Sequence, residues 1–196
     1  MRLVATLVAV LAVSAASAGT IYTSEPAFLA AIGGSYLLED FNGYTYGSFT
    51  GYTLNLGPQA GFAGVIQCDP NTDFLWSGNG DMSTNNATSK LHVTFQNSPN
   101  PVYAVGGWFY GSDFNGTFMP NNPVVLTASD GTNYQFSPPI RQTFIGVVST
   151  QPLSWFKIDA LDSPSYSWAT MDHFYISVPE PAALALLSLG LLLRRR

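Results

Sequence analysis

Residues 90–96, which read KLHVTFQ, alternate strictly between polar and apolar side chains. In an extended strand, Leu91, Val93 and Phe95 would share one face, because successive side chains of a strand point to opposite sides of the sheet. The polar residues between them, including His92, would share the other face. The stretch therefore predicts a strand with one face on a hydrophobic core and the other in water.

Short runs rich in β-branched and aromatic residues recur along the chain and are separated by turn-forming residues. The predicted strands are 36–41, 52–56, 62–66, 91–96, 102–110, 124–128, 134–137, 144–149, 153–160 and 171–178. The tight-turn dipeptides are Asn42-Gly43, Asn79-Gly80, Asn115-Gly116 and Asp130-Gly131. Many short strands with such turns predict an all-β fold, a two-sheet antiparallel sandwich of the jelly-roll-like kind.

One segment near the start of this region has a different pattern. Ser24 can cap a helix, Pro26 suits its first turn, and Gly33 can end it. The sequence therefore predicts one short N-terminal helix that ends near Ile32.

The predicted strand 102–110 breaks the alternation rule, since large apolar residues occupy both of its faces. Trp108 and Tyr110 lie on one face, and Tyr103 and Phe109 lie on the other. Such a strand is either covered on both sides or displays its aromatic residues to a ligand.

The first eighteen residues have the three parts of a secretory signal peptide. Arg2 supplies a positive charge, residues 3–13 are apolar, and Ala16 and Ala18 form an A-x-A cleavage site. The apolar run is short and ends in small residues, which disfavours a permanent N-terminal membrane anchor. Cleavage would leave a mature chain that begins at Gly19.

Residues 178–196, VPEPAALALLSLGLLLRRR, form a second signal at the other end of the chain. Residues 182–193 carry no charge and would be apolar on every face of a helix, which predicts a hydrophobic helix in a membrane. Twelve helical residues cover about 18 Å, less than a bilayer core of about 30 Å. A transient anchor suits this length better than a permanent one, and the arginines after it would be retained on the cytoplasmic side.

The order of these parts resembles the PEP-CTERM sorting signal of Gram-negative bacteria. The motif residues are Val178, Pro179, Glu180 and Pro181, and the terminal cluster is Arg194, Arg195 and Arg196. The resemblance implies processing by an exosortase, a membrane cysteine transpeptidase, and transfer to the cell surface or an exopolysaccharide matrix. Only the hydrophobic stretch is shorter than the family's pattern.

Between the two signals lies a single predicted β-sandwich domain, residues 19–177. It contains three basic and eleven acidic residues, a balance that argues against nucleic acid as a partner.

Cys68 is the sole cysteine of the sequence, so no intramolecular disulfide can form. We interpret Cys68 as structural, with an intermolecular disulfide as the open alternative.

The sequence offers little support for catalysis. Its two histidines, His92 and His173, are the only candidate bases for a hydrolase triad, and no G-x-S-x-G motif is present. A glycosidase needs two carboxylates across a cleft, but Glu39 and Asp40 are adjacent and would point to opposite faces of a strand. We therefore expect a protein that is not an enzyme.

We expect no cofactor, although two places could hold calcium. Residues 69–73, DPNTD, open like a calcium loop, but Phe74 replaces the required glycine and no glutamate closes the loop. Asp172 shares a predicted inward face with Phe174 and Ile176, where an unpaired carboxylate is costly. It is either hydrogen-bonded or a calcium ligand.

The four tryptophans, Trp76, Trp108, Trp155 and Trp168, are interpreted as core residues, with stacking on sugar rings as the alternative.

Together the patterns predict an exported cell-surface or exopolysaccharide-matrix protein with a structural or adhesive role. Its partners would be signal peptidase and exosortase during export, the membrane before processing, and extracellular polysaccharide. A carbohydrate-binding module, which would display an exposed aromatic cluster, and a secreted hydrolase, which would have paired acids in a cleft, are the rivals.

Overall fold

The structure of the chain is a computed structural model that describes residues 18–44, 48–78, 80–161 and 166–178, with the backbone alone at 48–50. The described strands form two antiparallel sheets, which confirms the two-sheet antiparallel part of the prediction. The eight-stranded sheet contains β1 (Thr20–Tyr22), β2 (Tyr36–Glu39), β3 (Ser48–Gly51), β6 (Leu75–Gly78), β7 (Asp81–Thr84), β9 (Val102–Ser112), β12 (Phe144–Leu153) and β14 (Trp168–Ser177). The six-stranded sheet contains β4 (Thr53–Gln59), β5 (Phe62–Asp69), β8 (Lys90–Thr94), β10 (Val124–Ala128), β11 (Asn133–Phe136) and β13 (Trp155–Ala160).

The strand orders are β1-β12-β9-β14-β7-β6-β3, with β2 also paired to β14, and β11-β10-β13-β8-β5-β4. The main core lies between the two sheets and includes Leu91, Val93 and Phe156, none of which is exposed. The alternation predicted for residues 90–96 is confirmed, because His92 points away from this core and is half-buried. Burial of this inner face supplies most of the driving force for folding.

The helix α1 (Glu25–Ile32) confirms the predicted helix, with Pro26 in its first turn and Gly33 (φ 72°) after its end. It packs on the outer face of the eight-stranded sheet, where the Phe28 ring lies directly over Gly106 and Gly146. A β-carbon at Gly106 would approach the Phe28 ring to 3.1 Å, so both positions must be small. The second apolar face of β9 is therefore covered by protein at this end.

Strand β14 contains a bulge between Asp172 and Tyr175, and His173 within it has a φ of 52°. The bulge reverses the alternation, so that Met171, Phe174 and Ile176 all belong to the core between the sheets. The prediction that Asp172 shares the inward face of Phe174 is therefore wrong. Asp172 lies on the outer face of the sheet, where its strand position pairs with that of Trp108.

Strands β1, β3, β6 and β7 were not predicted from the sequence. Two of them, β6 and β7, pair with each other, and Gly80 directly before β7 has a φ of 77°. Both strands are four residues long, LWSG and DMST, and neither contains a β-branched run that would identify it.

Part of each predicted signal falls outside the described residues. Ala18, Gly19 and Val178 are described, whereas Ala16, Pro179, Glu180, Pro181 and the arginines 194–196 are not. The predicted C-terminal hydrophobic helix, 182–193, also lies outside them. Among the described residues, no helix has the length and apolar character needed to cross a bilayer.

Candidate functional site

An open cleft of about 270 Å³ lies on the outer face of the eight-stranded sheet, where β6, β7, β14 and the end of β9 meet. Three aromatic side chains, Trp76, Phe114 and Trp168, line it together with hydroxyl and carboxylate groups. We call this feature the aromatic cleft. The cross-strand register places Trp76 beside Ser83 and Ser83 beside Thr170, so these side chains share one face of the sheet.

One wall of the aromatic cleft is built by the β6–β7 hairpin. Trp76 is 38% exposed, and its ring packs against Phe74 with the centroids 6.3 Å apart. The Ser83 hydroxyl donates a hydrogen bond to the carbonyl of Trp76 at 3.3 Å. The indole is thus in contact with a second ring and remains partly exposed to solvent.

The opposite wall combines Trp168 with the loop that follows β9. The Trp168 indole N–H donates to the carbonyl of Asn85 at 2.9 Å, which fixes the ring orientation. Asp113 accepts the backbone N–H groups of Asn115 and Thr117, each at 2.8 Å, and so shapes the loop that carries Phe114. Phe114 is 83% exposed and meets the Trp168 ring edge to face at 6.0 Å.

Hydroxyl groups form the floor between the two walls. The Ser112 and Thr170 hydroxyls are 2.8 Å apart and hydrogen-bonded, and the Thr170 hydroxyl also donates to the carbonyl of Trp168 at 3.0 Å. Both residues are 1% exposed. The floor is therefore polar yet held in a defined arrangement by its own hydrogen bonds.

A buried charged network closes one end of the aromatic cleft through Asp81. The Tyr110 hydroxyl donates to Asp81 Oδ2 at 2.7 Å, and an Arg141 guanidinium nitrogen lies 3.2 Å from the same oxygen. The same nitrogen lies 3.5 Å from Asp172 Oδ2, so one cation is shared by two carboxylates. Arg141 also lies over the Tyr110 ring at 5.7 Å.

Burial dominates the titration of this network. It raises the pKa of Asp172 to about 6 and the pKa of Asp81 above its ordinary value, against the opposing effect of Arg141. Burial and the nearby Asp81 carboxylate also raise the pKa of Tyr110, so its hydroxyl remains a hydrogen-bond donor.

The arrangement is suited to holding a polar ligand that has apolar faces. Two acids line the aromatic cleft, and the protein engages both, since Asp81 binds Tyr110 and Arg141 while Asp113 binds backbone N–H groups. A glycosidase needs one carboxyl group aimed at the scissile bond and free to donate a proton. Both acids of the aromatic cleft are therefore engaged in bonds within the protein.

The interpretation of the tryptophans as core residues is wrong for Trp76, Trp155 and Trp168, whereas Trp108 packs against the hydrophobic cluster around Phe28. Trp76 and Trp168 form the aromatic cleft, and the half-buried Trp108 stacks on His173 with the ring centroids 4.4 Å apart. Trp155 lies on the outer face of the six-stranded sheet beside Lys157.

The structure separates the other candidate residues. His92 and His173 lie in different sheets, and burial followed by the charge of Lys157 lowers the pKa of His92. Cys68 is fully buried in the core, and burial raises the pKa of its thiol to about 12. An intermolecular disulfide would therefore require the sandwich to open.

The two suspected calcium positions hold internal bonds. Asp69 pairs with Lys157 at 2.5 Å, and Asp73 accepts the Phe74 N–H and the Ser89 hydroxyl. Asp172 follows the hydrogen-bonded alternative, since it binds Arg141 and accepts the N–H of His173. Within the described residues, no group of three or more acidic, histidine or cysteine side chains could hold a metal ion.

Sequence reasoning did not bring these residues together as a site. The aromatic cleft depends on the unpredicted strands β6 and β7, although the Asn79-Gly80 turn between Trp76 and Asp81 was a signal for their hairpin. Comparison of the chain with protein-family models, curated proteins and solved structures found no match.

Proposed function

We propose that this chain is an exported surface or matrix protein whose β-sandwich binds extracellular polysaccharide through the aromatic cleft. The observation that carries the proposal is the pair of tryptophans, Trp76 and Trp168, facing a common open space with Phe114 at its rim. This is the exposed aromatic cluster by which a glycan-binding module differs from a purely structural protein.

The chemistry of a sugar matches the walls and the floor. A pyranose ring has C–H faces that pack on an indole and hydroxyls at its edge that need hydrogen-bond partners. Ligand sites are typically concave and mostly apolar with a few placed polar groups, and they start at about 300 Å³. A cleft of about 270 Å³ that is open to solvent suits one sugar unit of a longer chain.

The charges in the aromatic cleft favour a neutral polysaccharide. Asp81 and Asp113 line it, and the nearest described guanidinium, that of Arg141, is shared by two carboxylates. An anionic polysaccharide would therefore meet repulsion instead of a free cation.

The proposed route to the surface rests on the two terminal signals. Signal peptidase would cleave after Ala18, and an exosortase would process the tail at the motif that begins with Val178. Strand β14 ends at Ser177, directly before this motif. The jelly-roll-like form of the sandwich and the C-terminal hydrophobic helix remain predictions, as does the structural or adhesive role in the matrix.

Retention on polysaccharides tests the proposed binding. The chain from residue 19 to 196, in mild detergent, should be retarded in gels that contain a neutral glucan, mannan or galactan and less so in alginate. Trp76→Ala and Trp168→Ala should each weaken binding at least tenfold, or about 1.4 kcal/mol. Trp155→Ala is the matched control on the other sheet and should bind like the wild type.

Two results would overturn this proposal. One is the absence of retardation by every polysaccharide, and the other is equal binding by the Trp76→Ala and Trp155→Ala proteins. Release of reducing ends that is lost in Asp81→Asn would instead support the rival, a secreted hydrolase.

A further inference from the structure

One buried carboxylate oxygen outside the aromatic cleft has no partner among the described residues. Asp130, in the turn between β10 and β11, is 3% exposed. Its Oδ1 accepts the Thr132 N–H at 2.9 Å, whereas its buried Oδ2 accepts no hydrogen bond. Such an unsatisfied buried acceptor costs free energy, so it points to a hydrogen-bond donor that forms only after the chain has been processed.

Gly19 lies next to this oxygen. Its backbone N–H donates to the Thr132 hydroxyl at 2.9 Å, and a β-carbon on Gly19 would lie 3.1 Å from Asp130 Oδ2. The Gly19 nitrogen is bonded to the same α-carbon, so it lies within about 6 Å of that oxygen. A β-carbon would also meet Val147 Cγ1 at 2.7 Å, which makes glycine the residue that fits here.

We propose that Asp130 is the receptor for the α-ammonium group of Gly19 that signal-peptide cleavage creates. The inference rests on the proposed export, because it takes the bond between Ala18 and Gly19 as the one that is cut. Hydrolysis adds water across that bond and leaves a carboxylate on Ala18 and an amine on Gly19. The amine takes up a proton near neutral pH, because an α-amino group has a pKa of about 7.7–8.0.

The number of protons on the nitrogen explains why the uncut chain leaves Asp130 Oδ2 unsatisfied. A peptide nitrogen carries one hydrogen, and at Gly19 it is already donated to Thr132. An ammonium carries three, so it can keep the bond to Thr132 and donate a second one to Asp130 Oδ2. This second bond joins opposite charges in a buried place, where such a hydrogen bond is strong.

The position of the pair links the two sheets. Gly19 directly precedes β1, an edge strand of the eight-stranded sheet, while Asp130 belongs to a hairpin of the six-stranded sheet. The Gly19–Thr132 hydrogen bond already joins them, and cleavage would add a second, charged bond, so the released protein would be more stable than its precursor.

The test compares chains that differ only in their first residues. Chains 19–196 and 16–196, each released from a cleavable fusion, are prepared with Asp130 and with Asp130→Asn. With Asp130, the unfolding equilibrium constant of chain 19–196 should be about tenfold lower than that of chain 16–196. With Asp130→Asn this difference should disappear, and the Gly19 α-amino pKa, measured by NMR, should fall from a raised value to its ordinary range.

Equal stability of the two Asp130 chains, or an ordinary α-amino pKa in chain 19–196, would overturn the inference. Neither readout requires the Asp130→Asn protein to fold. Polysaccharide retention should be the same in all four chains, so failure of the aromatic cleft is a separate result. The N-terminal mass of protein recovered from cells and medium tests the cleavage site independently, and any first residue other than Gly19 would contradict the receptor role in the native protein.

Discussion

The outer faces of the two sheets are built in opposite ways around the same core. On the six-stranded sheet, Lys90 pairs with Asp159 at 2.7 Å and Lys157 pairs with Asp69. Every one of these side chains is at least a quarter exposed. This face is a solvated surface, and its ion pairs are of the kind that contributes little to stability.

The outer face of the eight-stranded sheet carries a second layer instead. Helix α1 covers one part of it, the Arg141 network covers the next, and the aromatic cleft occupies the end. Asp81 and Asp172 are buried there, with 5% and 7% of their surface exposed. The comparison shows that polar side chains on the outer face of a sheet are buried in defined positions where a second layer of protein covers that face.

Replacement of the anchor of that second layer should have the largest effect. Phe28 is fully buried and contacts Phe144 with the ring centroids 5.3 Å apart, so Phe28→Ala should lower the free energy of unfolding by about 3–5 kcal/mol. The half-buried Trp155 on the other face gives the matched comparison, and Trp155→Ala should cost about 1 kcal/mol. Urea unfolding of both proteins measures the difference. Equal losses would show that α1 is not part of the folded unit.

Removal of the shared cation should have the next largest effect. Arg141→Met leaves two buried carboxylates without their partner and should lower the free energy of unfolding by about 2–3 kcal/mol at pH 7. Lys157→Met, on the exposed face, should cost less than about 1 kcal/mol. The measurement is urea unfolding at one ionic strength. A smaller loss for Arg141→Met than for Lys157→Met would contradict the contrast between the two faces.

The two faces should also respond to acid with opposite signs. Burial raises the pKa of Asp172 to about 6, so the folded state binds more protons than the unfolded state between about pH 4 and 6. The Asp172 contribution to stability therefore falls by about 1–2 kcal/mol as pH rises through this window. On the other face, the hydrogen bond from Lys157 lowers the pKa of Asp69, so its contribution is lost below about pH 4.

Thermal unfolding from pH 3 to 7 separates these two contributions. Asp172→Asn should flatten the profile between about pH 4 and 6, and Asp69→Asn should change it only at lower pH. A profile of Asp172→Asn that matches the wild type would show that Asp172 is not the group that titrates there.

The sequence predicted the inner faces better than the outer ones. Alternation at Leu91 and Val93 identified a strand because burial on one side imposes a period of two. The bulge at His173 could not be foreseen, since one extra residue reverses every later side chain without any change in composition. Trp76 was interpreted as a core ring, because its four-residue strand LWSG has no β-branched residue and Trp168, which faces it, is distant in sequence. A local pattern contains no information about such pairing.

The smallest predicted effect tests what exposure does to an ion pair. Lys90 and Asp159 are 44% and 26% exposed, so a double-mutant cycle with Lys90→Met and Asp159→Asn should give a coupling of about 0.2–1 kcal/mol. At 1 M salt the Debye length is about 3 Å, and the coupling should vanish. The same cycle with Arg141→Met and Asp172→Asn should keep more of its coupling, because the Asp172 side chain is only 10% exposed, although that of Arg141 is 29% exposed. A coupling of the Arg141 pair that disappears in salt would mean that water reaches the network. The contrast between the outer faces of the two sheets would then be wrong.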